Sequence, residues 1–118
     1  MAHAPILEAP RWALQILNNL YEIDRKLSSH GDAANISRNV ERIRDSLGEQ
    51  GLFYEDPMGQ RFRETRSDLD ATISGDGTDN LVVVDVIKPI IRGGSAEFSR
   101  VIQKGIVVVQ SSDKGEEK

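Results

Sequence analysis

Residues that could bind a metal ion or a cofactor are few and scattered along the chain. His3 and His30 have no second ligand at the spacing of a metal site, which favours exposed loop histidines. The segment from Asp76 has the acidic character of a calcium loop. However, Leu81 stands where the turn needs Gly, and Ile87 stands where a bidentate Glu belongs. The sequence therefore predicts no metal site and no cofactor.

Acid–base and nucleophilic chemistry also find little support. Asp68 and Asp70 could pair as the acid and base of a small enzyme, but a solvated strand edge has the same pattern. The chain has no Cys, no phosphate-binding Gly loop before a helix and no Ser in a nucleophile elbow. We therefore predict a binding module and not an enzyme. A small enzyme that uses Asp68 and Asp70 as acid and base stays open as an alternative from a different functional class.

A cluster of basic residues surrounds Phe62. Arg61, Arg63 and Arg66 could bind phosphate or an acidic protein surface, and they could also be the solvated charges that end a strand. The overall charge argues against nucleic acid and anionic membranes as partners, because the 118 residues carry a net charge of −4. No apolar run approaches the ~18 residues of a membrane helix, and the N-terminus lacks a signal-peptide pattern. We expect a cytoplasmic protein.

Two segments have the apolar period of amphipathic helices. The first begins at Arg11, after Pro10, and ends before Gly31; the second runs from about Asn35 to Gln50. A short connection predicts an antiparallel hairpin over residues 11–51, after a flexible lead-in over 1–10. The apolar stripe of the first helix is longer than one partner helix and a small β-unit can cover. We therefore predict a homodimer through the helices. The predicted interface is Trp12, Ile16, Leu20, Ile23, Leu27, Ile36, Val40, Ile43 and Leu47.

The rest of the chain predicts a compact β-domain over residues 52–110, followed by a disordered tail over 111–118. "LVVVDVI" and "GIVVVQ" are short β-branched runs bounded by breakers, which indicates strands. Because both faces are apolar, we expect central strands with Val84 and Val108 in the core. "IRGGSAEFSR" is predicted as a loop with a Gly-Gly turn. The fold class is therefore α+β, a helical hairpin followed by a small all-β domain.

The order of these segments resembles a known family. "ILNNLYEIDRKL" precedes "VERIRDSLGEQGL"; "GQRF", "LVVVDVIK" and "RVIQKGIVVVQ" follow. This order is similar to the C-terminal two-thirds of GrpE-type nucleotide exchange factors, with a match from about Arg11 to Gln110. The family's long N-terminal stalk helix does not precede the match. We expect either a divergent stalkless member or a piece cut to that region.

The resemblance implies a mechanism without catalysis. The short helices of two protomers would form a four-helix bundle. The β-domain would press on the ATPase domain of a DnaK-type chaperone, open its nucleotide cleft and promote ADP release, a co-chaperone role in protein folding and the stress response. The residues that would contact the chaperone are Arg100, Lys104, Phe62 and Arg63. Arg100 and Lys104 interrupt an apolar run, as expected if they project toward an acidic partner.

Three departures from the family pattern leave a second function open. The Pro of the family's F-D-P-x-x-H-E-A block is missing, Leu69 stands where that block has His, and Gln103 replaces the second Arg of a basic pair. These changes would suit an adaptor or regulatory interaction protein that keeps the GrpE fold but has lost nucleotide exchange.

Overall fold

The computed structural model describes residues 9–95 and 97–112. Two helices precede six strands, which form two three-stranded sheets, so the predicted α+β class is confirmed. The pairing of the helices as half of a four-helix bundle stays a prediction. The elements are α1 (Arg11–His30), α2 (Ser37–Glu49), β1 (Leu52–Glu55), β2 (Leu69–Ser74), β3 (Leu81–Lys88), β4 (Ile90–Gly94), β5 (Ser99–Gln103) and β6 (Gly105–Ser111).

Helix α1 begins and ends where the sequence predicts. The carbonyl oxygen of Pro10 accepts a hydrogen bond from the N–H of Ala13 at 2.9 Å, which closes the first turn. At the other end Gly31 has φ +88°, and its N–H donates to the carbonyl oxygen of Leu27 at 2.9 Å. Gly is favoured there because a side chain strains a left-handed residue after a helix.

Helix α2 begins slightly later than predicted, at Ser37 instead of Asn35. Asn35 has φ +60° and therefore cannot continue a right-handed helix. Asp32 stabilises the start, since its carboxylate accepts the N–H of Ile36 at 2.6 Å and the hydroxyl of Ser37 at 2.5 Å. These hydrogen bonds, led by the Ser37 hydroxyl, lower the pKa of the Asp32 carboxyl.

The chain divides into two compact units. The first comprises the chain up to Glu55 together with Ile91–Ile102, and the second comprises Asp56–Ile90 together with the chain from Gln103 onward. This division cuts across the predicted β-domain of residues 52–110. The reason is the core of the first unit, where Leu52 and Ile91 pack with helix residues.

The first unit contains both helices and the sheet with strand order β1-β4-β5. Its core is formed by Ala13 and Leu17 of α1 with Leu52 of β1 and Ile91 of β4. Leu47 of α2 packs against this cluster. The sheet therefore covers only one side of α1, and this fact determines which apolar residues stay exposed.

None of the three strands of this sheet was predicted. The segment "IRGGSAEFSR", interpreted as a loop, contains most of β4 and the start of β5. The Gly-Gly pair suggested a turn, yet both glycines belong to β4, and Gly93 is buried. Strand β1 has only four residues, too few to show a clear alternation.

The second unit contains the sheet with strand order β2-β6-β3. Strand β6 pairs in parallel with β2 and antiparallel with β3, so its predicted central position is confirmed. The predicted central position of β3 is wrong, because β3 lies at a sheet edge. Part of that edge is covered by the segment around Gly59 and Gln60, which exchanges backbone hydrogen bonds with Val83 at 3.0 and 2.9 Å.

The prediction that Val84 and Val108 lie in the core is also wrong. Val84 is 43% exposed, and Val108 is only partly buried. A register shift between Val83 and Asp85 inserts an extra residue, which changes the face on which later β3 residues lie. The buried valines of this sheet are Val83, Val86, Val107 and Val109.

The predicted lead-in and tail fall largely on residues 1–8 and 113–118, which lie outside the described residues. Within the described part, Ser111 is the last residue of β6, and the N–H of Ser112 donates to the carbonyl oxygen of Asn80 at 3.0 Å. The strand therefore extends into the predicted tail 111–118.

Candidate functional site

Helix α1 has two apolar faces, and only one of them is covered within its own unit. Ala13 and Leu17 are fully buried against the sheet. Trp12, Ile16 and Ile23 lie on a second face and are 60%, 39% and 38% exposed. These three residues follow each other at helical spacing, so they form one continuous stripe.

A residue of α2 extends this stripe into a shallow groove. Ile43, which is 46% exposed, lines the groove together with α1 residues, and Gln15 and Asn19 add polar groups to it. We call Trp12, Ile16, Ile23 and Ile43 the exposed helical face. Contiguous apolar surface of this kind is typical of a protein interaction site.

The predicted dimer residues thus separate into groups. Leu20 lines the same groove but is 4% exposed, and Val40 is 3% exposed, so both belong mainly to the interior of the single chain. Leu27 and Leu47 are half-buried. Ile36 is 45% exposed and precedes α2.

A polar cluster beside the core connects α1, α2 and β1. Asp24 Oδ2 accepts hydrogen bonds from Arg44 Nη1 at 2.6 Å and from the Tyr54 hydroxyl at 2.5 Å. Arg44 Nη1 also donates to the Tyr54 hydroxyl at 3.2 Å, and the rings of Tyr21 and Tyr54 meet edge to face at 5.9 Å. This cluster was not predicted from the sequence. It fixes the position of α2 and therefore of Ile43 in the exposed helical face.

The polar cluster perturbs the ionisation of two of its members. Partial burial, followed by the hydrogen bond to Asp24, raises the pKa of the Tyr54 phenol. The hydrogen bond to Tyr54 contributes most to raising the pKa of Arg44. Tyr54 therefore stays protonated and continues to donate to Asp24 beyond the ordinary range of a phenol.

Replacing Tyr54 by Phe tests this cluster. We expect Tyr54→Phe to lower the free energy of unfolding by about 1–2 kcal/mol at neutral pH, because it removes the hydroxyl from two partly buried hydrogen bonds. The raised pKa means that the phenol stabilises the unmodified chain fully below about pH 10 and loses this contribution as the pH rises through the folded-state pKa. We therefore measure the melting temperatures of the unmodified chain and of Tyr54→Phe between pH 7 and 11. The two values should converge above pH 10. A constant difference would contradict the assigned role.

The predicted partner-binding residues are distributed over both units. Arg100 is exposed on β5 in the first unit, whereas Lys104, Phe62 and Arg63 belong to the second. Lys104 Nζ lies 3.7 Å from Asp70 Oδ1, and both side chains are more than half exposed. Phe62 is half-buried, and Arg63 is exposed. Arg100 and Arg63 thus present accessible guanidinium groups.

Arg66 and Asp68 have internal partners. Arg66 Nε and Nη2 donate to the two carboxylate oxygens of Asp68, each at 3.0 Å. Arg66 also donates to the side chain of Gln60 at 2.9 Å. Asp68 and Asp70 therefore have different environments, one in a bidentate ion pair and the other in solvent beside Lys104.

Within residues 9–95 and 97–112, no group of three or more His, Asp or Glu is placed to hold a metal ion. In the same part of the chain, no helix combines the length and apolar character needed to cross a membrane. Comparison with protein-family models, curated proteins and solved structures finds no match.

Proposed function

We propose that the chain is a GrpE-like co-chaperone that dimerises through its helices, binds the ATPase domain of a DnaK-type chaperone and promotes ADP release. The observation that carries the proposal is the exposed helical face, a second apolar face of α1 that the first unit leaves uncovered. The chain also has two helices before its strands, which is the order expected from the resemblance. Nothing in this role requires catalysis.

The proposed action is a shift in the population of chaperone states. A factor that binds the open nucleotide cleft more tightly than the closed one moves the equilibrium by its difference in affinity and by no more. Arg100 is suited to such a contact, because its planar guanidinium group can hold a carboxylate through two hydrogen bonds.

The dimer can be tested by placing charges on the exposed helical face. We expect the double variant Ile16→Asp, Ile23→Asp to be a folded monomer, because both side chains are exposed in the protomer but would be buried between two copies. Sedimentation measures the result. Ile87→Asp is the matched control, since Ile87 is 59% exposed on β3, and it should leave the dimer intact. An unmodified chain that is monomeric at high concentration would exclude the dimer.

A specific observation also favours the adaptor alternative. The positions that depart from the family pattern have roles inside the second unit. Leu69 is 4% exposed, and the Gln103 amide nitrogen donates to the carbonyl oxygen of Pro89 at 3.0 Å. A residue that stabilises its own fold is less available to a partner, which supports an adaptor that keeps the fold but has lost nucleotide exchange.

One measurement separates these functions. Labelled ADP bound to the ATPase domain of a DnaK-type chaperone is chased with unlabelled nucleotide, with and without the unmodified chain. Faster release supports the co-chaperone, whereas binding without faster release supports the adaptor. A chain that neither binds the ATPase domain nor accelerates release would exclude the co-chaperone and favour an adaptor that has lost chaperone binding.

A further inference from the structure

The two ends of the exposed helical face differ in shape. Near the start of α1, Trp12 is 60% exposed and projects its ring into solvent. Leu20 and Ile23, further along α1, line the same groove as Ile43 of α2. We call Leu20, Ile23 and Ile43 the apolar bed. One end of the groove thus carries a projecting ring, and the other end carries apolar side chains on which such a ring can pack.

A polar contact places Ile43 at the Ile23 end of the groove. Arg44, the residue after Ile43, donates from Nη1 to Oδ2 of Asp24, the residue after Ile23, at 2.6 Å. Trp12 and Ile23 are 11 positions apart in the sequence. Eleven residues of α-helix make about three full turns, or about 16 Å. The ring and the apolar bed therefore lie on the same side of α1, at opposite ends of the groove.

The ring and the apolar bed complement each other, which makes this face suited to a second copy of the same chain. When two α1 helices lie antiparallel, with Trp12 of each copy opposite Ile23 of the other, the same contact forms twice about a twofold axis. Parallel helices would place ring against ring and bed against bed. Both complementary contacts would then be missing, so the shape of the face favours the antiparallel pair.

The charges of α1 favour the same orientation. Lys26 lies one turn after Ile23 on the same side of the helix, Arg11 directly precedes Trp12, and both cations are exposed. In a parallel pair each cation would lie beside its own copy, and like charges in contact are destabilising. In the antiparallel pair the two copies of Arg11, like the two copies of Lys26, are about 20 Å or more apart along the axis. Salt screens most of the repulsion at that distance.

We propose that the exposed helical face binds the same face of a second copy with the two α1 helices antiparallel, and that Trp12 of each copy packs on the apolar bed of the other. This inference rests on the dimer of the proposed function and adds its orientation and its anchor residue. Trp is well suited to this role, because its ring buries a large apolar area and has few rotatable bonds.

Cross-linking of single-cysteine variants tests the orientation, because the sequence contains no cysteine. Arg11→Cys and Lys26→Cys are matched, since each replaces one exposed cation of α1. The two variants are mixed, allowed to exchange subunits and treated with a short bismaleimide, and the linked peptides are identified by mass spectrometry. The antiparallel pair predicts links from position 11 of one chain to position 26 of the other, which lie within one helical turn of each other. Dilute samples measure the links that form by random collision.

Tryptophan fluorescence tests the anchor, because Trp12 is the only tryptophan of the chain. Its emission should shift to shorter wavelengths as the protein concentration rises through the range in which sedimentation detects dimers, since the ring leaves water. Ile43→Asp places a carboxylate in the apolar bed, so it should raise the Kd of the dimer by about tenfold or more and move the shift to higher concentrations. Ile87→Asp, on β3, is the matched control and should leave both measurements unchanged.

The possible failures can be told apart. A dimer that forms links from 11 to 11 and from 26 to 26, or none above the collision level, would show that the antiparallel orientation is wrong while the proposed dimer stands. A dimer in which the Trp12 emission does not shift, or which tolerates Ile43→Asp, would exclude the packing of Trp12 on the apolar bed. An unmodified chain that is monomeric at high concentration would exclude the dimer and this inference with it. Thermal melts in dilute solution should be alike for all variants, because every substituted side chain is exposed.

Discussion

Replacing Leu17 by Ala is expected to lower the free energy of unfolding by about 2–5 kcal/mol, the largest stability loss that we expect from a single substitution in α1. Leu17 is fully buried, and it packs with Ala13, Leu52 and Ile91 at the centre of the first unit. Its truncation removes apolar contacts to helix and sheet together and leaves a cavity. Urea denaturation at a dilute protein concentration measures the loss.

Ile16→Ala is the matched control, because it removes a similar aliphatic side chain from the neighbouring position. Ile16 is 39% exposed, so the free energy of unfolding of a monomer should fall by less than about 1 kcal/mol in Ile16→Ala. At high protein concentration the loss for Ile16→Ala should increase if the exposed helical face is a dimer interface, since dimerisation adds to apparent stability by mass action. Equal losses for the two variants in dilute solution would show that the buried and exposed faces of α1 are wrongly assigned.

This contrast between neighbouring residues also shows how far the sequence could predict the helices. Helical spacing predicts which residues share a face, and α1 begins and ends where expected. It does not reveal what each face contacts. Leu52 and Ile91, which cover Leu17, come from strands far along the chain. The predicted single stripe is therefore two faces, of which one is buried and the other is exposed.

The strands were predicted where local composition was sufficient. Strands β3 and β6 are runs of β-branched residues, and both lie close to the predicted positions. Strand β2 contains Asp, Thr and Ser, and β4 ends in two glycines, so neither resembles a buried strand. The side on which each β3 residue lies depends on its register with β6. Alternation along the strand places Val83 on the buried face and Val84 on the exposed face. A bulge in the register after Val83, which composition does not reveal, then explains why Val86 is buried and Asp85 is exposed.

For a similar reason, the polar cluster of Asp24, Arg44 and Tyr54 could not be predicted from the sequence. Asp24 lies 20 residues from Arg44 and 30 residues from Tyr54, so no local spacing connects them. Each side chain alone is an ordinary polar residue beside an apolar stripe. Only the packing of both helices against β1 brings them together.

Arg100→Ala is expected to weaken binding to the ATPase domain of a DnaK-type chaperone by about 2–4 kcal/mol, because the partner's carboxylate would be left without its guanidinium group. The free energy of unfolding should change by less than about 0.5 kcal/mol, since Arg100 is exposed on β5. Lys104→Ala should cause a smaller loss that disappears at high salt. Lys104 is itself half exposed, and Asp70 already lies beside it at 3.7 Å.

Arg38→Ala is the control for the change in net charge, because Arg38 is exposed on α2 and lies outside the predicted partner-binding residues. Titrations at low and high salt should leave its affinity close to that of the unmodified chain, apart from a small loss of electrostatic steering at low salt. A loss shared equally by Arg38→Ala and Arg100→Ala would mean that only net charge matters. Equal affinities for Arg100→Ala and the unmodified chain would remove Arg100 from the binding surface. A specific loss at Arg100 would show that one guanidinium group on β5 allows this acidic chain to recognise an acidic partner.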